Sequence, residues 1–176
     1  METSGSQSIF LIGFMGSGKS TFGRKLAREL HLPFIDLDQE IVSVEKQTIA
    51  GIISEQGEAY FREIESAILK QLNQRPAVIA TGGGTPCFFD NMDWMLRHGI
   101  TIYLRATPAF LHSRLLQTNR EERPLLKGLS SEELMQYIEM KLMEREPNYA
   151  RAHLIADAIR PDEIKNELHN LRHSDR

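Results

Sequence analysis

Ile9-Phe10-Leu11-Ile12-Gly13-Phe14-Met15-Gly16-Ser17-Gly18-Lys19-Ser20-Thr21 is the stretch around which the chain is organised. Four apolar residues, Ile9 to Ile12, read as a buried strand. Gly13, Gly18, Lys19 and Ser20 then fit G-x-x-x-x-G-K-[ST], the spacing of a phosphate-binding loop. A helical pattern begins at once, with Leu26, Ala27 and Leu30 on one side and Arg24, Lys25 and Arg28 on others. Glycines let main-chain N–H groups curl around a polyphosphate, and the helix that follows aims its positive end at the same anion. Gly16, Ser17, Gly18, Lys19, Ser20 and Thr21 are therefore candidate nucleotide contacts. Lys19 is placed to reach the outer phosphates and the Ser20 hydroxyl to ligate Mg²⁺. The competing reading is a glycine-rich turn that happens to end in Lys-Ser. The flanking strand and helix argue against it.

The 176 residues suggest one domain with ample core. A net charge of −3 gives no electrostatic footprint for nucleic acid or an anionic membrane, so any anion site must be a local cluster of cations. No apolar run approaches a membrane span, and Met1 to Ser8 is too polar and short for a signal peptide. Cys87 is the only cysteine, which excludes an intrachain disulfide and suits a reducing compartment; a cytoplasmic protein is expected. The six histidines show no metal-ligand spacing.

Outward from the loop, short apolar runs alternate with helical patterns about five times. Phe34-Ile35, Pro76 to Ala80, Ile100 to Leu104 and Leu154 to Ala156 read as further strands. This pattern predicts an α/β fold: a five-stranded parallel sheet flanked by helices. Asp36 and Asp38 fall just past the second strand, at the sheet end where α/β proteins bind ligands. Residues 39 to 74 read as mostly helical, with a break at Gly57 and Phe61, Ile64, Ile68 and Leu72 on one face. Arg62 lies off that face with Glu65 three residues on. Gly82, Gly83 and Gly84 end the third strand and expose backbone to close approach. No acid stands at that strand's end, so Asp36 is the candidate metal-holding carboxylate. Thr107-Pro108 opens a helix that carries Arg114. Residues 117 to 128 turn polar, with Arg120, Arg123 and Lys127. Ser130 and Glu133 fit a capping box for a helix running to about Arg145, followed by Pro147-Asn148-Tyr149. A final helix starts near Pro161-Asp162.

Together, Gly13-x-x-Gly16-x-Gly18-Lys19-Ser20, Asp36-x-Asp38, Phe61-Arg62-x-x-Glu65, Gly82-Gly83-Gly84, Arg123-Pro124-Leu125-Leu126 and Arg145-x-Pro147-x-Tyr149 resemble the shikimate kinase family, in order and over nearly the whole chain. The resemblance implies a P-loop NTPase of the nucleoside monophosphate kinase type. It implies a single domain over 1–176 with a substrate-binding helical region at about 36–65 and a lid at about 117–128. The implied reaction is transfer of the ATP γ-phosphate to the 3-hydroxyl of shikimate, in chorismate and aromatic amino acid biosynthesis, with Mg²⁺ as cofactor. ATP and shikimate are the implied small-molecule partners, with no nucleic acid or membrane, and a monomer is expected.

Carried over by resemblance, Arg62 and Arg145 would grip the shikimate carboxylate and Glu65 would brace Arg62. Gly82, Gly83 and Gly84 would line the acceptor. Asp38 would orient the attacking hydroxyl, and Ser20 and Asp36 would hold the metal. Lys19 and Arg123 would neutralise the transferred phosphoryl group, and Arg114 would stack on adenine. Plainer readings stand beside these. The two acids could cap a helix, and Arg62–Glu65 could be an exposed ion pair of little worth. The glycines could be a flexible turn, Arg123 a solvated charge, and Arg145 a cation at a helix end. Glu121-Glu122 directly before Arg123 would oppose its role unless both face solvent. The alternatives in function are a related small-molecule kinase such as gluconate kinase, or a non-catalytic nucleotide-binding module.

Overall fold

The computed structural model of the protein describes residues 7–118 and 126–173. Five strands form one parallel sheet: β1 (Ser8–Ile12), β2 (Phe34–Asp36), β3 (Val78–Ala80), β4 (Gly99–Arg105) and β5 (Leu154–Asp157), in the order β2-β3-β1-β4-β5. The alternation of β1 supplies both faces. Phe10 and Ile12 join Ile79 and Tyr103 on one side, and Ile9 and Leu11 join Val78, Ile100 and Ile102 on the other. The first face is covered by α2 (Leu37–Glu45), α3 (Ile49–Gln71), α4 (Asn91–His98) and the C-terminal part of α6 (Ser131–Tyr149). The second is covered by α1 (Lys19–Glu29) and α7 (Lys165–His173). Lys165 pairs with Glu29 at 2.9 Å, and Lys25 pairs with Asp162 just before α7.

Helix ends follow local chemistry. Thr107 caps α5 (Pro108–Leu116) by accepting from the Phe110 N–H at 3.3 Å, with Pro108 spending its missing N–H in the first turn. Ser130 and Glu133 form a complete capping box on α6, at 3.2 and 2.7 Å. Gly57, at φ 88° and ψ 164°, interrupts α3 where the sequence places a break. A third apolar cluster, Phe14 with Leu111, Leu115, Leu126, Leu134 and Ile138, packs α5 and α6 beneath the phosphate loop.

Several boundaries differ from the sequence expectation. Asp36 is the last residue of β2 and Asp38 lies in the first turn of α2, so the strand runs directly into the helix with no loop. The helix that the spacing of Phe88, Met92, Met95 and Leu96 predicts after the third strand starts only at Asn91, because a short 3-10 turn, Thr85–Cys87, intervenes. Most instructively, α6 does not stop near Arg145 but continues through Pro147 to Tyr149. Proline removes one helical N–H. The fully buried Tyr149 ring, 5.0 Å from that of Tyr103, holds the last turn in place, and the Ala150 N–H still reaches Glu146 O at 2.8 Å. Arg120, Glu121, Glu122 and Arg123 lie outside the described residues, with most of the expected lid. Among the described residues, no helix is long and apolar enough to cross a membrane.

The sheet centre leaves no slack at Gly99. A Cβ there would sit 2.3 Å from the Ser8 carbonyl oxygen and 2.8 Å from the Phe10 ring. Gly99→Ala is expected to lower stability by about 1–3 kcal/mol, read from the urea midpoint. Val44→Ala, at a 60% exposed position, should stay within about 0.5 kcal/mol of wild type.

Candidate active site

Because β1 lies between β3 and β4, the loops leaving β1 and β3 emerge side by side at the carboxyl edge of the sheet. The first is the phosphate loop. Gly16 and Gly18 have φ of 83° and 98°, the left-handed region that turns successive N–H groups inward. Lys19 is buried, and its Nζ donates to the Gly13 and Phe14 carbonyls at 2.8 and 2.9 Å, bridging the mouth of the loop. Ser17 Oγ is buried within the loop, with no hydrogen-bond partner among the described residues. A cavity of about 530 Å³ opens over this loop, walled by Thr21, Asp36, Asp38 and, from α5, the exposed Arg114. Arg114 lies over the Phe110 ring at 5.6 Å.

Ser20 Oγ donates to Asp36 Oδ2 at 2.7 Å. A hydroxyl and one carboxylate at the end of β2 are hard oxygen donors, and Mg²⁺ characteristically takes only one or two carboxylates beside phosphates and water. Among the described residues, no three His, Cys, Asp or Glu side chains converge as an all-protein metal cage. The donor set therefore fits Mg²⁺ delivered with a nucleotide rather than a permanently held metal.

A second cavity, about 510 Å³, is continuous with the first and shares Met15, Asp38, Gly82 and Gly83 with it. Its floor is apolar, from Val42, Ile49, Ile53 and Phe61, and two guanidinium groups enter its wall. Arg62 is 8% exposed, so the surface ion-pair reading does not hold. Its Nη1 donates to Glu65 at 2.9 Å, while Nε and Nη2 share a Glu58 oxygen at 3.3 and 3.1 Å. The group is pressed against the Phe88 ring at 4.1 Å. Arg145 rises from α6 over the Phe14 ring at 5.3 Å, and among the described residues its buried Nη1 has no hydrogen-bond partner. A buried guanidinium N–H without an acceptor calls for an anion from outside the chain.

The triple glycine is a contact surface, not a slack turn. A Cβ on Gly84 would lie 2.9 Å from Arg62 Nη2, and one on Gly82 2.8 Å from Glu65 Oε1 and 3.1 Å from Asp38 Oδ1. One on Gly83 would meet Arg145 Nη1 at 3.4 Å. Tyr149 donates its hydroxyl to the Gly83 carbonyl and fixes the turn from behind. Burial raises the Glu65 pKa, and the Arg62 charge and the Thr85 hydroxyl pull it back. Burial also raises the thiol pKa of the half-buried Cys87, so no reactive thiolate is poised beside the cavity.

Lys19, Ser20, Asp36, Asp38, Arg62, Arg114, Arg145 and the three glycines thus meet around two joined cavities; Arg123 lies outside the described residues. Thr85, Asn91, Ser66 and Glu58, which hydrogen-bond to site residues or to one another, and Met15, which lines both cavities, are not singled out by the sequence reading. No periodicity singles these out.

Comparison with known proteins agrees. The family model described as shikimate kinase matches residues 15–171. A shikimate kinase of Bacteroides fragilis is 45% identical over 168 residues, covering 93% of each chain. The crystal structure of shikimate kinase from Bacteroides thetaiotaomicron superposes with a TM-score of 0.86 at 40% identity, covering 94% of this chain and 97% of that one. The shikimate kinase of Acinetobacter baumannii, solved in complex with shikimate, gives 0.82 at 32% identity, with 98% and 96% covered. A match of this length and identity, on a chain whose cavities pair a phosphate loop with two convergent arginines, means that the protein belongs to the shikimate kinase family.

Proposed function

We propose that this chain transfers the γ-phosphoryl group of ATP to the 3-hydroxyl of shikimate, giving shikimate 3-phosphate and ADP. The observation that carries this reading is the buried Nη1 of Arg145, without a hydrogen-bond partner among the described residues and set with Arg62 on the wall of a cavity that opens onto the phosphate loop. A small cyclic acid supplies what that cavity lacks: a carboxylate for the guanidinium forks, an apolar ring edge for Ile49 and Ile53, and hydroxyls for Asp38. Gluconate is also a carboxylate, but its open chain has no ring to cover the apolar floor. The bound shikimate in the Acinetobacter baumannii relative supports the same acceptor.

In this reading Asp38, at the junction of the two cavities, accepts a hydrogen bond from the attacking hydroxyl and aims it at the γ-phosphorus. Phosphoryl transfer has a loose transition state, so aim and charge neutralisation matter more than full deprotonation. Lys19 exchanges its loop carbonyls for phosphate oxygens, and Arg123 adds a second positive charge. Ser20 and Asp36 would hold Mg²⁺, which would supply positive charge to the nucleotide phosphates. Arg114 covers the adenine. A working monomer in the cytoplasm completes this reading.

A coupled ADP-release assay with MgATP tests the assignment directly. Turnover should require shikimate and be absent with gluconate or no acceptor; ATP binding without turnover on shikimate would return the chain to the binding-module reading. Asp38→Asn should lower kcat by about a hundredfold or more with ATP affinity retained. Near-normal kcat would remove Asp38 from the reaction. Arg62→Ala should weaken shikimate binding by about 2–4 kcal/mol, because it strips one charge from a buried pair. Calorimetric titration of shikimate gives the number.

A further inference from the structure

An unbroken line of buried hydrogen bonds joins the first residue of α4 to the guanidinium of Arg62. Ser66 Oγ donates to Asn91 Oδ1 at 2.6 Å, and Asn91 Nδ2 donates to the Thr85 carbonyl at 3.0 Å. Thr85 Oγ1 donates to Glu65 Oε1 at 2.6 Å, and Glu65 Oε2 accepts from Arg62 at 2.9 Å. Glu65, Thr85 and Asn91 are fully buried. Polar groups this deep are costly unless every member is paired, and here they are. Yet neither Thr85 nor Asn91 lines the acceptor cavity.

The geometry gives them a task. A carboxylate held by one oxygen can still rotate; Arg62 holds one oxygen of Glu65 and Thr85 holds the other, which fixes its plane. Thr85 is also the residue after the triple glycine, and its N–H closes that turn onto the Gly82 carbonyl at 3.3 Å. Asn91 pins the same residue from its carbonyl side. One threonine thus ties the anchor of Arg62 to the backbone that Arg62 touches at Gly84. We propose that Thr85 and Asn91 are positioning residues for the acceptor, locking Glu65 and the glycine turn in one register so that Arg62 meets the acceptor carboxylate squarely. The inference rests on the acceptor reading above.

Three titratable or charged groups face Glu65: Arg62 on its own helix, Asp38 from α2 and Cys87 from the turn; Arg145 of α6 lies against Gly83 and acts on Cys87. Two side chains hold its pKa down: Arg62, through its charge and its hydrogen bond, and Thr85, through its hydroxyl. Removing that hydroxyl raises the pKa further, so the carboxylate that anchors Arg62 is lost at a higher pH.

The test is steady-state kinetics on the full chain, varying shikimate and ATP separately across pH. Thr85→Val should raise KM for shikimate about tenfold or more and leave KM for ATP within about twofold. It should also move the acid limb of kcat/KM for shikimate upward in pH. Thr85→Ser, which keeps the hydroxyl, should restore both. Asn91→Ala should change KM for shikimate in the same direction, and it carries the KM test if the valine variant does not fold. KM values for both substrates rising together, or an acid limb that stays put, would overturn the inference while leaving the acceptor assignment intact. Wild-type protein that ignores shikimate would overturn both.

Discussion

Burial of β1 on both faces, in the middle of the sheet, is the constraint on which the rest of the molecule depends. All five of its residues are buried, so it can lie only where helices cover both sides. That position sends the phosphate loop out between β3 and β4, and it brings the loop after β3 alongside. Two cavities with different chemistry then share one wall without needing a second domain. The nucleotide cavity is built from main-chain N–H groups and a lysine; the acceptor cavity is built from side chains on α2, α3 and α6.

The acceptor cavity is dominated by charges that the interior would not tolerate singly. Arg62 is stabilised by Glu65, Glu58 and the Phe88 face, and Glu65 by Arg62 and Thr85. Such a network is expensive to assemble and adds little to net stability, since a well-packed apolar core of the same volume would serve as well. What it adds is direction. Arg145 differs: among the described residues its Nη1 has no hydrogen-bond partner, and in the function proposed above the acceptor supplies one.

Much of this was legible in the sequence. Motif spacing placed Lys19 and Ser20 because local backbone geometry dictates a phosphate loop whatever surrounds it, and the carboxyl end of the second strand placed Asp36 beside them. Apolar alternation gave the parallel sheet. Arg62 alone was ambiguous, because a helix surface pair and a buried pair look identical in sequence; only the packing of Phe61 and Phe88 around it decides between them. The end of α6 was misread for a related reason. Pro147 is a local stop signal, and it was overridden by the distant Tyr103–Tyr149 contact, which no window of sequence contains. Thr85 and Asn91 were invisible because their roles are defined by partners many residues away.

Lys19 bridging the Gly13 and Phe14 carbonyls has a consequence for how the nucleotide arrives. The loop is not an empty nest waiting to collapse; its own ammonium already spans the arch and keeps the backbone open. In the function proposed above, arrival of a polyphosphate is then an exchange of oxygens around one nitrogen rather than a folding event. The affinity measured for nucleotide is the difference between two sets of hydrogen bonds to the same cation, not the whole strength of one. Shortening the lysine or moving its charge would change the resting shape of the loop as well as its grip, and the two effects would enter any binding constant together.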